Sequence, residues 1–108
     1  MKKIEAIVRE EKFHLIKIAL EEKGFISMTV SDVMGRGKQK GIKIGGMVYD
    51  EIPKILILVA IQDKDKDKVI TTILKTAKTG TDGTFGDGKI FVSPIDEVYT
   101  ISKGAPIL

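Results

Sequence analysis

The chain carries the same pattern of elements twice, and this repetition constrains the fold more than any other feature of the sequence. In the first half, Ile4, Ala6 and Val8 alternate with mostly charged residues, as expected for a strand that buries one face. The first half is predicted to hold this strand, a helix from Lys12 to Lys23 that ends at Gly24, and a strand from Phe25 to Met34 that ends at Gly35. A strand, a helix and a second strand make one β-α-β unit.

The second half repeats this order with its own strand, helix and strand. The predicted elements are a strand from Ile55 to Ile61, a helix from about Asp65 to Lys78 with Asp65 as its N-cap, a strand from Lys89 to Val92, and a short last strand from Glu97 to Ser102 that adds to a sheet edge. Two successive β-α-β units predict an α+β protein, a ferredoxin-like double β-α-β sandwich whose antiparallel sheet carries both helices on one face. At 108 residues, the chain suffices for a single domain over residues 1–108.

The predicted strand from Ile55 to Ile61 is apolar at every position. A strand with one solvated face would alternate between apolar and polar residues. Something must therefore cover the sheet face opposite the two helices, and another copy of the chain is the simplest cover. The sequence thus predicts a closed homo-oligomer. The alternative is a partly buried sheet with an exposed apolar patch.

The composition excludes several kinds of site. The chain has no cysteine, which excludes disulfides, thiolate zinc sites and thiol nucleophiles, and its single histidine, His14, cannot form a multi-histidine metal site. A net charge of +3 from 18 basic and 15 acidic residues indicates a mixed surface, so we expect no nucleic-acid partner. No apolar run is long enough to span a bilayer, and we expect a cytoplasmic protein without membrane insertion.

Two segments rich in glycine and lysine, Gly35–Gly41 and Gly86–Lys89, each lie at one end of a strand-like run. Glycine lets backbone N–H groups approach a phosphate closely, and lysine adds positive charge beside them. One such segment would more often be an ordinary turn, but two predict a phosphate or nucleotide site. The run from Gly83 to Lys89 fits the first part of a P-loop pattern, yet Ile90 stands where a magnesium-binding hydroxyl is required, so an NTPase is not expected. Because no base or nucleophile is positioned for catalysis, we expect no enzyme.

The segment from Gly35 to Pro53 is long for a connection inside a compact domain and shows no regular period. Loops of this length are usually functional or mobile. Its early part is basic and its later part is amphipathic and contains Tyr49, which favours docking to a partner protein. The alternative is a hairpin without a function.

Five motifs, in this order, resemble those of the PII signal-transduction proteins, and the resemblance runs nearly end to end. The motifs are Met28-Thr29-Val30, Gly35 to Gly41, Pro53-Lys54, Thr76 to Gly80, and Gly86 to Val92. The resemblance implies a trimer of double β-α-β sandwiches with nucleotide sites in the clefts between subunits. It also implies a protruding T-loop at about residues 36–53, a B-loop at about 79–89 and a C-terminal segment at about 95–108.

The resemblance further implies ligands and the residues that hold them. Members of the family bind ATP or ADP, and in the ATP-bound state a magnesium ion helps to hold 2-oxoglutarate. The implied nucleotide-binding residues are Ile7, Thr29, Gly35, Gly37, Lys38, Gln39, Thr79, Gly86, Asp87, Gly88 and Lys89. The implied 2-oxoglutarate-binding residues are Gln39, Lys40, Gly41 and Lys54, and the Gln39 oxygen is the implied magnesium ligand. The implied partner-binding residues of the T-loop are Lys43, Met47 and Tyr49.

The sequence departs from the family pattern near its C-terminus and in its loops. Family members usually carry two arginines that reach the phosphates of the neighbouring subunit, whereas this chain has Thr100 and Ser102 at those positions. Nucleotide binding is still expected, without a predicted preference between ATP and ADP. The T-loop is shorter than usual and Tyr49 falls later than the tyrosine that is uridylylated, so we expect no uridylylation.

The shortened T-loop and the ending from Glu97 to Ser102 most resemble the branch of the family that accompanies nitrogenase, as the first of two paired paralogues. The resemblance implies a homotrimer, or a hetero-oligomer with a paralogue. It also implies that the protein inhibits dinitrogenase when nitrogen is plentiful, and that 2-oxoglutarate with ATP relieves this inhibition. The alternative is a member that blocks an ammonium transporter or regulates another nitrogen-assimilation protein. An RNA-binding ferredoxin-like domain is disfavoured, because the apolar strand from Ile55 to Ile61 lacks aromatic residues for base stacking.

Overall fold

The computed structural model describes residues 1–36, 42–44, 47–49 and 51–106, with side chains described for residues 1–36 and 51–106. The two helices are α1 (Glu10–Glu22) and α2 (Lys66–Ala77), and a single 3₁₀ turn (Asp63–Asp65) precedes α2. The strands are β1 (Lys2–Arg9), β2 (Thr29–Gly35), β3 (Ile42–Ile44), β4 (Met47–Tyr49), β5 (Ile52–Ile61), β6 (Gly88–Pro94), β7 (Tyr99–Thr100) and β8 (Ala105–Pro106). Neither helix is long and apolar enough to cross a membrane.

The main sheet has four strands in the order β2-β5-β1-β6, and every neighbouring pair is antiparallel. With two β-α-β units in succession, this order confirms the predicted ferredoxin-like α+β sandwich. The long segment after Gly35 shows no regular period in the sequence, and β3 and β4 pair within it as a short antiparallel ladder.

The first helix starts directly after β1, earlier than the predicted Lys12. Glu10 and Glu11 lie in its first turn, where carboxylates interact favourably with the helix dipole. At its other end, Gly24 has a φ of +93°, and the Phe25 N–H donates to the Leu20 carbonyl at 2.9 Å. The Gly24 N–H donates to the Glu21 carbonyl at 2.9 Å, which completes a Schellman motif. The predicted stop at Gly24 is confirmed.

The second helix closely matches its predicted limits. Asp65 occupies the N-cap position as predicted, but its side chain makes no capping hydrogen bond because the preceding 3₁₀ turn gives it a helical conformation. On this helix, Leu74 is 53% exposed. Thr72 is buried instead, and its hydroxyl donates to the Lys68 carbonyl at 2.7 Å, so that the helix satisfies this polar group internally.

The hydrophobic core lies between the helices and one face of the sheet. Opposite residues of an antiparallel pair share a face, and the register pairs Ile4 with Val59 and Ala6 with Ile57. The core residues are Ile4, Ala6, Val8, Ile16, Leu20, Ile55, Ile57, Val59, Ile61, Val69, Ile73 and Ala77. Each fully buried isoleucine or valine contributes roughly 1.5–3 kcal/mol, so this cluster holds the helices on the sheet.

The opposite face of the sheet, here called the helix-free face, also carries apolar residues, which lie among polar and charged ones. It carries Ile7, Val33, Leu56, Leu58 and Phe91. Phe91 is 52% exposed, and neither described helix packs on this side. The register confirms that the strand from Ile55 to Ile61 is apolar on both faces, whereas β1 places Glu5 between Leu58 and Phe91 on the helix-free face.

The predicted strand from Glu97 to Ser102 was wrong in extent and in partner. Only Tyr99 and Thr100 are extended, and they pair with β8 in a separate small sheet instead of joining the edge of the main sheet. The cause is a tight turn at Gly104, which has a φ of +66° and donates its N–H to the Thr100 carbonyl at 2.9 Å.

Gly88 is the point where β6 approaches β1 most closely. Its φ of +110° strongly favours glycine, and it pairs with Val8 in the sheet register. A Cβ atom placed on Gly88 would lie 1.7 Å from the Ile7 carbonyl oxygen. No side chain fits between these two backbones, so the β1–β6 pairing requires glycine here.

Gly88→Ala should destabilise the protein more than Gly80→Ala, its matched control in the same loop. Both positions have a positive φ, +110° and +70°, so each substitution carries a conformational cost of about 1–2 kcal/mol. Only Gly88→Ala adds a backbone overlap, since nothing lies within 4 Å of a Cβ placed on Gly80. Urea unfolding measures both losses, and equal losses would contradict the steric account.

Candidate functional site

The Asp87 carboxylate is the centre of the loop that leads into β6. One carboxylate oxygen accepts the Thr79 N–H at 3.0 Å and the Thr84 N–H at 2.8 Å. The Asp87 N–H in turn donates to the Thr84 carbonyl at 3.1 Å. A single side chain therefore closes the predicted B-loop onto itself.

Arg9, at the end of β1, attaches this loop to the sheet. Its Nε donates to the second Asp87 oxygen at 3.1 Å, and its Nη2 donates to the Phe85 carbonyl at 2.8 Å. Burial alone would raise the pKa of Asp87, but the hydrogen bonds from Thr79, Thr84 and Arg9 outweigh it and hold this pKa well below its usual range. Asp87 is therefore a stable carboxylate near neutral pH.

Lys54 of β5 links the T-loop exit to the B-loop. Its side chain is buried, and its Nζ donates a hydrogen bond to the Gly86 carbonyl. Burial and the positive charge of Arg9 lower the pKa of Lys54, while the carboxylates of Glu11 and Asp87 partly offset this effect. Burying an ammonium is costly unless it is paired or hydrogen-bonded, so this lysine occupies a site built to hold it.

Gly35 gives the Lys54 side chain its room. A Cβ atom placed on Gly35 would lie 3.1 Å from the Lys54 Cγ, closer than a comfortable contact. A side chain at this position would press on the lysine stem. The glycine that ends β2 and the lysine that follows the long segment are therefore in contact.

The sheet register brings further predicted residues to the same region of the helix-free face. Ile7 lies opposite Leu56 on one side and opposite Lys89 on the other. Arg9 lies opposite Lys54, and Thr29 of the edge strand lies opposite Leu58. Cross-strand neighbours have Cβ atoms about 5 Å apart, so these residues form one contiguous surface. The helix-free face therefore carries a group of apolar residues next to Glu5, and a basic end beside them.

Several predicted residues are not in this cluster. Gly37, Lys38, Gln39, Lys40 and Gly41 lie outside the described residues, as does any magnesium ligand among them. For Lys43 in β3 and for Met47 and Tyr49 in β4, only the backbone is described.

Thr79 serves a structural contact, and the two positions where family members usually carry arginines lie in the C-terminal hairpin. Thr79 uses its N–H for Asp87, and its buried hydroxyl finds no hydrogen-bond partner among the described residues. Thr100 belongs to β7, and Ser102 belongs to the turn between β7 and β8. His14 is exposed on α1.

Sequence reasoning missed Arg9. The sequence pattern identified it only as one of the charged residues that alternate with the apolar residues of β1. That alternation already placed it on the same face as Ile7. What the sequence did not indicate was its partner, because Arg9 and Asp87 are 78 positions apart. No described cluster of three or more histidine, cysteine or acidic side chains could hold a metal ion.

A cavity of about 380 Å³ lies on the other side of the sheet, between α2 and β6. Its floor is apolar, with residues such as Ile70, Leu74 and Val92, and Asp87 and Lys89 lie at its border with the B-loop. This cavity belongs to the helix side, whereas Ile7 and Lys54 face the opposite side. The B-loop therefore borders two distinct surfaces.

Comparison with known families finds one that spans almost the whole chain. The sequence model described as "Nitrogen regulatory protein P-II" matches residues 1–105. This range includes both β-α-β units, the long segment with β3 and β4, and the B-loop.

Individual relatives agree with the family match. The chain is 52% identical over 101 residues to "Nitrogen fixation nifHD region glnB-like protein 1" of Methanococcus maripaludis, covering 94% of this chain and 93% of the relative. It is 45% identical to "Nitrogen fixation nifHD1 region GlnB-like protein 1" of Methanosarcina barkeri, covering 98% of each. It is 47% identical to "Nitrogen regulatory protein P-II 2" of Methanothermobacter thermautotrophicus, covering 96% of this chain and 91% of the relative.

Proposed function

This chain belongs to the nitrogen regulatory protein P-II family, and from that membership and the geometry of its site we propose that it is a nitrogen-status signalling protein. It binds ATP or ADP together with 2-oxoglutarate and acts on a target protein by direct contact, not as an enzyme. The observation that carries this proposal is the convergence of Lys54, Lys89 and the glycine-rich loop at one end of the helix-free face.

The chemistry of the site supports an anionic ligand. Arg9, Lys54 and Lys89 bring three positive charges to this end of the sheet, against the carboxylates of Asp87 and Glu11. Gly86 and Gly88 have φ values of +97° and +110°, conformations that let backbone N–H groups face a bound phosphate. The residues present therefore fit a phosphate group.

Each ligand has proposed contacts. The amides of Gly86 to Lys89 and the Lys89 ammonium hold the phosphates of the nucleotide, while Ile7 and Thr29 contact its base. Lys54 pairs with a carboxylate of 2-oxoglutarate, since its ammonium has three donors and one serves the Gly86 carbonyl. Gln39 supplies an oxygen to Mg²⁺, which when bound would add positive charge between phosphate and dicarboxylate.

The helix-free face supports an oligomer. Phe91, Leu56 and Leu58 form an apolar surface that would be costly to leave in water. We propose a homotrimer, or a hetero-oligomer with a paralogue, whose subunits cover this face for one another. The nucleotide sites then lie at the subunit boundaries, where the exposed Thr29 and the segment around Thr100 are available to a neighbour.

For the target, we propose a nitrogenase component. The support is the names of the relatives, which refer to nitrogen-fixation regions. The T-loop, which includes β3 and β4, is the proposed contact surface through Lys43, Met47 and Tyr49. A relative named only as a P-II protein leaves other nitrogen-metabolism targets, such as an ammonium transporter, as the competing proposal.

Calorimetry tests the sensor function. The protein should bind 2-oxoglutarate when Mg²⁺ and ATP are present and should not bind it without them. Lys54→Met should weaken 2-oxoglutarate binding by about 100-fold, because it removes one charge-assisted pair of roughly 2–3 kcal/mol. The same substitution should weaken ATP binding less. Lys64→Met, which removes an exposed lysine outside the site, is the matched control. Binding of 2-oxoglutarate that is absent or independent of ATP would refute the proposal.

Light scattering tests the oligomer. The unaltered protein should have the mass of a trimer, and Phe91→Asp should shift it to a monomer because a carboxylate would be buried in the shared interface. Leu15→Asp is a close control, since Leu15 is 53% exposed on α1 and Phe91 is 52% exposed on the sheet. A monomeric unaltered protein, or a trimer that persists in Phe91→Asp, would contradict the proposed interface.

A nitrogenase assay tests the target. Added protein should lower acetylene reduction by a purified nitrogenase of the same organism, and 2-oxoglutarate with Mg-ATP should restore it. Tyr49→Ala should reduce the inhibition, whereas Tyr99→Ala, an exposed tyrosine of the C-terminal hairpin, serves as the control. If activity is unaffected, while an ammonium transporter captures the protein, the competing target is correct.

A further inference from the structure

We propose that Arg9 and Asp87 are a positioning pair that holds the B-loop in its anion-binding shape before any ligand arrives. The inference rests on the proposed function, since it takes a nucleotide phosphate as the ligand. It concerns a residue, Arg9, that neither the family motifs nor the sequence pattern assigned to the site.

Arg9 holds the loop at two points. Its Nε reaches Asp87 at 3.1 Å and its Nη2 reaches the Phe85 carbonyl at 2.8 Å. The guanidinium group presents its donors in a planar fork, so that one side chain fixes both positions at once. A lysine has a single ammonium at the end of a flexible stem and cannot reproduce this geometry.

Asp87 connects Arg9 to the rest of the loop. The Asp87 oxygen that does not contact Arg9 accepts the amides of Thr79 and Thr84 at 3.0 and 2.8 Å, so the beginning and the middle of the loop close around it. The Arg9 and Asp87 side chains are only 19% and 18% exposed, which limits screening of the pair by salt. The loop is therefore anchored by partly buried charge.

The anchored residues adjoin the proposed phosphate contacts. Phe85 and Asp87 flank Gly86, whose carbonyl accepts the Lys54 hydrogen bond. Three consecutive residues are thus fixed to β1 and β5 immediately before Gly88 and Lys89. Without Arg9, the Asp87 carboxylate would lose its cation in a partly buried place, and the loop would populate other conformations. The apparent affinity for a phosphate ligand falls in proportion to the competent fraction of the loop.

A direct phosphate contact by Arg9 would be a different role, and the charge-conserving variant separates the two. Arg9→Lys keeps the positive charge that a direct contact needs, but it loses the two-point fork. A positioning role therefore predicts that Arg9→Lys behaves like Arg9→Gln. A direct electrostatic role predicts that Arg9→Lys behaves like the unaltered protein.

The test measures amide hydrogen exchange of residues 79–89 in the ligand-free protein, together with ATP affinity by calorimetry. Arg9→Gln and Arg9→Lys should each speed exchange of the Thr79 and Thr84 amides and weaken ATP binding by about tenfold, as expected if the competent fraction of the loop falls to about a tenth. Lys3→Gln is the matched control, because it removes one positive charge from the same strand and the same face as Arg9. The Lys3 side chain pairs with Glu5, away from the loop. Lys3→Gln should change neither quantity.

Asp87→Asn provides a second variant should Arg9→Gln fail to fold. It should speed exchange of the same two amides, because the ion pair with Arg9 is lost. If the asparagine oxygen keeps the two amides, its NH2 group faces the Arg9 Nε, which is also a donor. Unchanged loop exchange in both Arg9→Lys and Asp87→Asn would overturn the positioning pair. Absence of ATP binding by the unaltered protein would instead overturn the proposed function, and the ligand-free exchange would still decide the role of Arg9.

Discussion

The register of β1 against β5 is the constraint on which the rest of the structure depends. It pairs Ile4 with Val59 on the side of the helices and Ile7 with Leu56 on the helix-free face. A slip of one residue would exchange the two sets, because successive side chains of a strand point to opposite faces. The same register places Arg9 opposite Lys54, so the packing of the core and the assembly of the basic end of the sheet have one geometric cause.

At that end, the protein offsets the cost of partly buried charge with hydrogen bonds instead of exposing the charge to water. Lys54 is buried and donates to the Gly86 carbonyl, and Asp87 receives two backbone amides and the Arg9 guanidinium. A buried polar group without a hydrogen-bond partner costs free energy, whereas a fully hydrogen-bonded network is rigid. The glycine-rich loop is consequently anchored by Arg9 of β1 and Lys54 of β5. The positive φ angles of Gly86 and Gly88 are therefore stabilised by contacts with the sheet as well as by the loop itself.

Much of this fold could be predicted from local pattern. The alternation of Ile4, Ala6 and Val8 and the glycine at position 24 predicted β1 and the end of α1, because burial and positive φ have local signatures. The short hairpin of β7 and β8 was missed, since the tight turn at Gly104 competes with sheet extension in a way that β propensity does not show.

The candidate site was predictable only in part. The glycine and lysine motifs predicted an anion site formed by two segments, and the register brings Lys54 and Lys89 to one face. The Arg9–Asp87 pair joins residues 78 positions apart and follows from tertiary packing alone.

The central claim is that the basic end of the helix-free face is the place where nucleotide and dicarboxylate bind. A crystal structure of the protein with Mg-ATP and 2-oxoglutarate tests it most directly. The account predicts phosphates against the amides of Gly86 to Lys89 and a dicarboxylate beside Lys54, on the same side of the sheet as Ile7. Ligand density in the cavity between α2 and β6, with none beside Lys54, would contradict it.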